Sequence, residues 1–265
     1  YYSYAEKLLN KGLAYICTCD AEKFKKLKRE KKECPCRKKS IDENKDEWKK
    51  MLSGYYDEGE AVLRFKSSMQ DPNPVLRDPP LFRINTAKHP LKGNKYRVWP
   101  LYNFSCCLDD HLLGITHVFR GKEHEHNTAV QRLIYTAFDW QMPTIINFGM
   151  VYLPGAKLHT RDIKELIAQG KITGWNDVRL TTLRALYRRG ITPQALKKFA
   201  LTCGLSKTDI NVSWENLYGI NRKIIDPIAN RYFVVIDPMR IKVNAPRKIN
   251  LIHEKLHPDF KERGN

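Results

Sequence analysis

Apolar residues recur along this chain in several rhythms, and each rhythm predicts its own kind of element. Between Tyr2 and Leu13 the positions Tyr4, Leu8 and Leu9 fall on one helical face, and Gly12 stands near its end. Ala14-Tyr15-Ile16-Cys17 is an unbroken apolar run and predicts a short strand. Residues 21–50 read as charged helix, with the Lys-rich stretch from Lys23 to Lys32 as a solvated face. Glu60 to Lys66 predicts another strand, followed by breaks at Pro72, Pro74, Pro79, Pro80 and Pro90. Ile115 to Arg120 and Ile145 to Val151 read as two buried strands. They flank a helix from Thr128 to Trp140, in which Thr128 and Gln131 have capping-box spacing and Pro143 closes the segment. Strand, helix, strand at this spacing predicts a parallel βαβ unit, and hence an α/β fold.

Beyond residue 160 the pattern turns helical. Thr181 to Arg189 predicts a helix ending at Gly190. Thr192 can cap the next one, with Pro193 in its first turn and Gly204 at its end. Ser213 can cap a third that runs to Ile225 and stops at Asp226-Pro227. Tyr232 to Ile236 and Ile241 to Val243 read as strands that open a β domain.

Composition narrows the class. The 265 residues are enough for two cores. Lys plus Arg number 47 against 29 Asp plus Glu, a formal net charge of +18. A surplus of that size points first to nucleic acid, whose phosphates are dense anions. An anionic membrane surface is second, but no strongly amphipathic basic helix with an aromatic face is evident. No run of about 18 apolar residues exists, so no transmembrane helix is expected. The opening Tyr1-Tyr2-Ser3-Tyr4-Ala5-Glu6-Lys7 lacks the layout of a signal peptide and does not begin with Met, which suggests a fragment or one half of a split protein. Seven cysteines are too few for a disulfide framework, and the number is odd. Reduced thiols or a metal site in a cytoplasmic protein fit better.

The phosphate-binding motifs G-x-G-x-x-G and G-x-x-x-x-G-K-[ST] are missing. His124-Glu125-His126 is not H-E-x-x-H, and its two imidazoles do not share a helical face. Cys17-Thr18-Cys19 and Cys34-Pro35-Cys36 form a C-x-C…C-x-C pattern. Four thiolates close in sequence suit a tetrahedral structural Zn²⁺ site, and the alternative is four free reduced thiols. Cys106, Cys107 and Cys203 stand in apolar runs and read as core.

Four further stretches match one known family in order. They are Trp99-Pro100-Leu101-Tyr102-Asn103-Phe104-Ser105, the run from Asp109 to His124, Gly174 to Ile191 (GWNDVRLTTLRALYRRGI) and Asn221 to Ala229. Together they resemble class I glutamyl-tRNA synthetases of the archaeal and eukaryotic branch, and the resemblance extends over essentially the whole chain. It implies a class I Rossmann-type catalytic fold in modules. Residues 1–97 would be the insertion that holds the acceptor end of tRNA. Residues 98–156 would be the second half of the catalytic fold, 157–226 a helical stem-contact region, and 227–265 the start of an anticodon-reading β-barrel.

The resemblance also assigns roles. Tyr102 would contact the bound amino acid, with His124 beside it. Arg120 would pair with the side-chain carboxylate of L-glutamate, for which a guanidinium offers a two-pronged partner. Glu123 and His124 fall in the adjoining loop for ATP and the amino acid, and Met150 on a strand bordering adenine. Arg179, Arg184, Arg188 and Arg189 are the expected tRNA contacts. The family's KMSKS-type loop aligns with Lys157-Leu158-His159-Thr160-Arg161-Asp162, where only Lys157 and Arg161 keep the positive charge that would meet ATP phosphates. None of the eight histidines stands in H-x-G-H, the family's other ATP-binding motif, which lies upstream of the insertion. The resemblance therefore implies part of an ATP- and Mg²⁺-dependent enzyme that attaches glutamate to tRNA(Glu), with its N-terminal half as a further partner that a separate chain could supply. A glutaminyl-tRNA synthetase fragment is disfavoured by Arg120. A non-catalytic tRNA-binding module stays open because of the missing motif and the altered loop.

Overall fold

The computed structural model describes residues 1–156, 159–244 and 253–264. The chain divides into two compact units, residues 1–148 and 149–265.

The first unit begins with α1 (Tyr2–Asn10), β1 (Ala14–Cys17) and α2 (Ala21–Arg29). A 3₁₀ turn at Pro35–Lys38 leads to α3 (Ile41–Ser53). Then come β2 (Val62–Phe65), β3 (Pro80–Ile84) and β4 (Val98–Pro100). The unit closes with α4 (Tyr102–Leu112), β5 (His117–Gly121), α5 (Glu125–Ala137) and β6 (Thr144–Phe148). Strands β1 to β4 form one antiparallel sheet in sequential order. That sheet crosses residue 97, because β4 pairs antiparallel with β3. The uninterrupted apolar run of β1 is buried at every position, as its composition requires. Ser40 and Glu43 cap α3 reciprocally. Gly54 ends it at φ +92°, where a side chain would be strained. Leu8, Leu9, Trp48, Phe82 and Phe104 share one core with Ile134 of α5.

The expected βαβ unit is present, because β5 and β6 pair in parallel across α5. Its details differ from the sequence reading. The strands are His117–Gly121 and Thr144–Phe148 rather than longer buried runs, and Phe119 is 54% exposed. In a two-stranded sheet with no further strand on either edge among the described residues, the strands are covered only in part: Phe119 stays open while Val118, Ile145, Ile146 and Phe148 are half-buried. Helix α5 starts at Glu125 with His124 as N-cap, so Thr128 and Gln131 are not its capping box. A 3₁₀ turn at Lys122–His124 runs straight into the helix and moves its start upstream.

The second unit contains β7 (Val151–Tyr152), α6 (Thr160–Ala168), α7 (Leu183–Arg188), α8 (Pro193–Cys203), β8 (Ile210–Asn211) and α9 (Trp214–Ile225). Thr192 caps α8, Pro193 lies in its first turn and Gly204 follows its end, as the sequence predicts. Thr182 caps α7, which is shorter at both ends than the predicted helix. Leu186, Phe199 and Leu217 centre one core, and Ile163, Ile172 and Ala185 another. The strands expected at Tyr232–Ile236 and Ile241–Val243 are not formed. Both segments lack regular secondary structure and are exposed, with Phe233 88% exposed. Among the described residues no strand pairs with them, and an apolar run alone cannot satisfy its backbone donors and acceptors.

Candidate functional site

The two C-x-C pairs converge. Cys17 ends β1, Cys19 lies two residues beyond, and Cys34 and Cys36 bracket the start of the 3₁₀ turn. All four Sγ atoms lie within 4.8 Å of one another. Cys17 and Cys34 are 3.9 Å apart, and Cys19 and Cys36 are 3.6 Å apart. Zn–S bonds of about 2.3 Å in a tetrahedron separate the sulfurs by roughly 3.8 Å, so the spacing fits a four-thiolate metal site. It is far too long for a disulfide. The surroundings are polar and ordered. Thr18 Oγ1 lies 3.6 Å from Cys36 Sγ, and the Tyr15 hydroxyl lies 3.5 Å from Cys34 Sγ while donating to Asp78 at 2.8 Å. Arg37 Nε donates to the same carboxylate oxygen at 3.0 Å. A hydrogen bond from Cys34 lowers the Cys17 thiol, and the same contact, with burial, raises Cys34. These four residues can hold a structural zinc ion.

A second polar cluster lies at the carboxyl ends of β5 and β6, the edge where parallel sheets receive ligands. Arg120 stands opposite Asn147 in the strand register. Its Nη2 donates to Gln131 at 2.8 Å and to Thr128. The two positions that looked like a helix cap instead anchor the arginine. Tyr102 opens α4, 47% exposed, with its ring 5.5 Å from the His124 ring. Asn127 donates to His124 Nδ1 at 3.0 Å and accepts from Asn103 at 3.2 Å. Buried polar atoms without a partner concentrate on these elements: Asn103 Oδ1, Arg120 Nε, Gln131 Nε2, the Tyr135 hydroxyl and Asn147 Oδ1. Buried polar atoms are rarely left unpaired, and a cluster of them marks a place prepared for a polar ligand. Asp110 adds a carboxyl whose pKa burial raises, against the pull of the Arg120 charge. The sequence reading singles out Tyr102, Arg120 and His124, which the fold brings to this cluster; Asn103, Asp110, Thr128, Gln131 and Asn147 join them without being named as candidates. Short amides and hydroxyls carry no pattern until the fold gathers them. Glu123 is exposed, with its carboxylate packed over Gly121.

The remaining predicted residues lie in the second unit. Met150 is not on a strand; it is 46% exposed, and its amide donates to Asp209 at 2.7 Å. Gly149 beside it closes so tightly on the Thr208 carbonyl that a Cβ has no room. Arg161 is exposed in the first turn of α6. Lys157 lies outside the described residues.

The four arginines divide into two kinds. Arg179 gives Nε and Nη2 to Asp177 at 2.8 and 2.7 Å, and Nη2 also to the Lys171 carbonyl. Arg189 stacks over Trp214 and Tyr218 at 5.0 and 5.4 Å. Arg184 and Arg188 instead line an open groove of about 650 Å³ with the exposed Leu183 and Tyr187.

Comparison with known proteins gives a consistent result. Residues 1–227 match the family described as tRNA synthetases class I (E and Q), catalytic domain. The chain is 50% identical to the glutamate–tRNA ligase of Pyrococcus horikoshii over 266 aligned positions, covering 100% of this chain and 46% of that protein. It is 44% identical to that of Methanopyrus kandleri, with coverage of 99% and 46%. The chain therefore spans about half the length of the curated relatives it matches. The crystal structure of a glutamate tRNA ligase from Elizabethkingia meningosepticum, in complex with its amino acid, shares the fold with a TM-score of 0.51. It is 20% identical, with 86% of this chain and 53% of that one covered.

Proposed function

The chain belongs to the class I tRNA synthetases (E and Q), and on that premise we propose that it forms the amino-acid-selecting and tRNA-holding part of a glutamate–tRNA ligase. The observation that carries the choice of glutamate is Arg120, a guanidinium fixed by Thr128 and Gln131 with its Nε buried and unpaired. Such a group pairs well with a carboxylate and leaves a glutamine amide mismatched. Tyr102 and His124 border the same cluster and would frame the amino acid, with Glu123 beside the nucleotide.

The reaction has two balanced steps. An oxygen of the glutamate α-carboxylate attacks the α-phosphorus of ATP and pyrophosphate leaves. A hydroxyl of the terminal ribose of tRNA then attacks the acyl carbonyl, losing its proton as AMP departs. Mg²⁺ bound with the nucleotide would offset the charge of its phosphates. Lys157 and Arg161 would meet the triphosphate, and Met150 the adenine. Positioning and electrostatics supply the catalysis, and no enzyme nucleophile is required. Arg184 and Arg188 are the proposed tRNA backbone contacts, while Arg179 and Arg189 hold the framework beneath them. The modular assignment of residues 1–97, 98–156, 157–226 and 227–265, the Zn²⁺ in the cysteine cluster and an upstream ATP-binding half complete this reading. No helix of the described residues is long and apolar enough to cross a membrane.

The test is charging of tRNA by the whole protein with labelled glutamate and glutamine in parallel. Glutamate transfer, and its near-complete loss in Arg120→Ala with tRNA affinity unchanged, is the expected result. Equal charging by the variant ends the role of Arg120, and glutamine transfer by the wild type overturns the specificity.

A further inference from the structure

The cysteine quartet stands beside a group of cations that the proposed reaction does not use. Arg64 on β2 faces Tyr15 on β1 in the antiparallel register, so the two side chains share one side of the sheet. Cys17, two residues beyond Tyr15, falls on that side as well. Phe24 of α2 packs into the same small core as Tyr15 and the cysteines. The Arg64 guanidinium lies 3.5 Å from the centre of its ring. Stacking on an aromatic face fixes the planar head of the arginine beside the thiols.

That head is held but not neutralised. Its Nη1 donates only a long hydrogen bond, 3.4 Å, to the Asp78 carbonyl, and its Nε is buried with no partner. Two more cations lie close. Arg77 is buried and donates to the carbonyls of Asp71, Lys28 and Pro72 at 2.6, 2.9 and 3.1 Å. Lys28 is half-buried, and its pKa is pulled down first by burial and then by the charges of Arg64 and Arg77. The three are therefore near enough to repel one another.

Among the described residues no carboxylate pairs with Arg64, Arg77 or Lys28. Asp78 is near, but it already accepts from the Tyr15 hydroxyl at 2.8 Å, Arg37 Nε at 3.0 Å and the Ser67 amide at 2.9 Å. Gathering like charges at partly buried positions is unfavourable unless an anion offsets them. The quartet can be that anion. A divalent cation held by four thiolates leaves a double negative charge, whereas four neutral thiols carry none.

Arg64 is the cation placed to act directly. A guanidinium can only donate hydrogen bonds, and a metal-bound sulfur can accept them. Arg64 is already close enough to Cys17 to help, after the hydrogen bond from Cys34, in lowering its thiol. The geometry points to Arg64 as the positioning residue of the metal site: its guanidinium donates to the Cys17 sulfur and offsets the charge of the zinc-bound quartet, and Lys28 and Arg77 add to the same field. This rests on the zinc reading and goes beyond it by naming the group that balances the loaded site.

The experiment measures the zinc affinity of the whole protein by competition with a chelating dye, at one pH and with a phosphine reductant present. Wild type, Arg64→Met and Arg64→Lys are compared. Methionine keeps an unbranched chain on Phe24 but has neither charge nor donor, and lysine restores both. The zinc dissociation constant of Arg64→Met is expected to rise about 10- to 100-fold. Arg64→Lys should recover most of that loss, which a purely packing role would not produce. Wild-type affinity in Arg64→Met overturns the proposal. So does an Arg64→Lys affinity no better than that of Arg64→Met, because charge is then not what the arginine supplies. Wild-type protein that takes no zinc from the dye would instead sink the zinc reading itself.

Discussion

A single hydroxyl separates Thr18 from valine, and it lies 3.6 Å from Cys36 Sγ. A thiolate bound to zinc is stabilised by nearby donors, and losing one commonly weakens metal affinity by about 10- to 100-fold. Thr18 is exposed, so Thr18→Val should leave the fold intact. Zinc release to a chelating dye at fixed pH should then run about tenfold faster than in the wild type, at the low end of that range. An unchanged rate removes the hydroxyl from the site, and protein purified with well under one zinc per chain removes the metal. Residue identity was legible here because cysteine pairs announce themselves by spacing. The support around Arg120 was not. Thr128 and Gln131 fit a helix cap equally well in one dimension, and only the 3₁₀ turn upstream frees them to hold a guanidinium.

At the scale of elements, the turn before α7 depends on one carboxylate. Asp177 accepts from the Thr173 amide at 3.0 Å, the Arg179 amide at 3.1 Å and the Arg179 side chain. The Arg179 guanidinium and these amides hold its carboxyl well below the ordinary value of 3.8. A depressed pKa adds stability that is complete above the ordinary value and disappears as pH falls through the folded one. Asp177→Asn should therefore melt at a lower temperature than wild type by a gap that is constant from pH 8 to about pH 4 and closes in stronger acid. Thermal melts across that range read it directly. A gap that changes between pH 8 and pH 5 would implicate a different titrating group. The same scale explains which elements were predictable. Helix α8 follows its local signals, with Thr192, Pro193 and Gly204 at their posts. Residues 232–236 have the apolar composition of a strand but no partner among the described residues, and pairing is not a local property.

For the whole molecule the surplus of 18 positive charges sets the expectation of a polyanionic partner. The structure separates cations already spent from those that remain. Arg179 and Arg189 are committed to Asp177 and to two aromatic rings, while Arg184 and Arg188 face an open groove. Replacing both groove arginines by alanine should weaken tRNA binding and flatten its salt dependence. The slope of log K against log salt should fall in magnitude by about 1 to 2, for two lost phosphate contacts. Dissociation constants between about 50 and 200 mM salt test this, and an identical slope in the double variant would place the RNA elsewhere.

By itself the sequence determined the α/β class, the parallel βαβ unit, the cysteine quartet and the family. These depend on periodicity, on spacing, or on runs of residues long enough to be distinctive. Tertiary structure alone decided that Arg120 is held by α5, that two of four arginines are engaged by other side chains, and that a basic loop folds its histidine onto Trp99. The physical reason is the same in each case. Hydrogen bonds between short polar side chains and stacking between distant rings depend on separations in space, and a chain fixes those only once its apolar faces have packed.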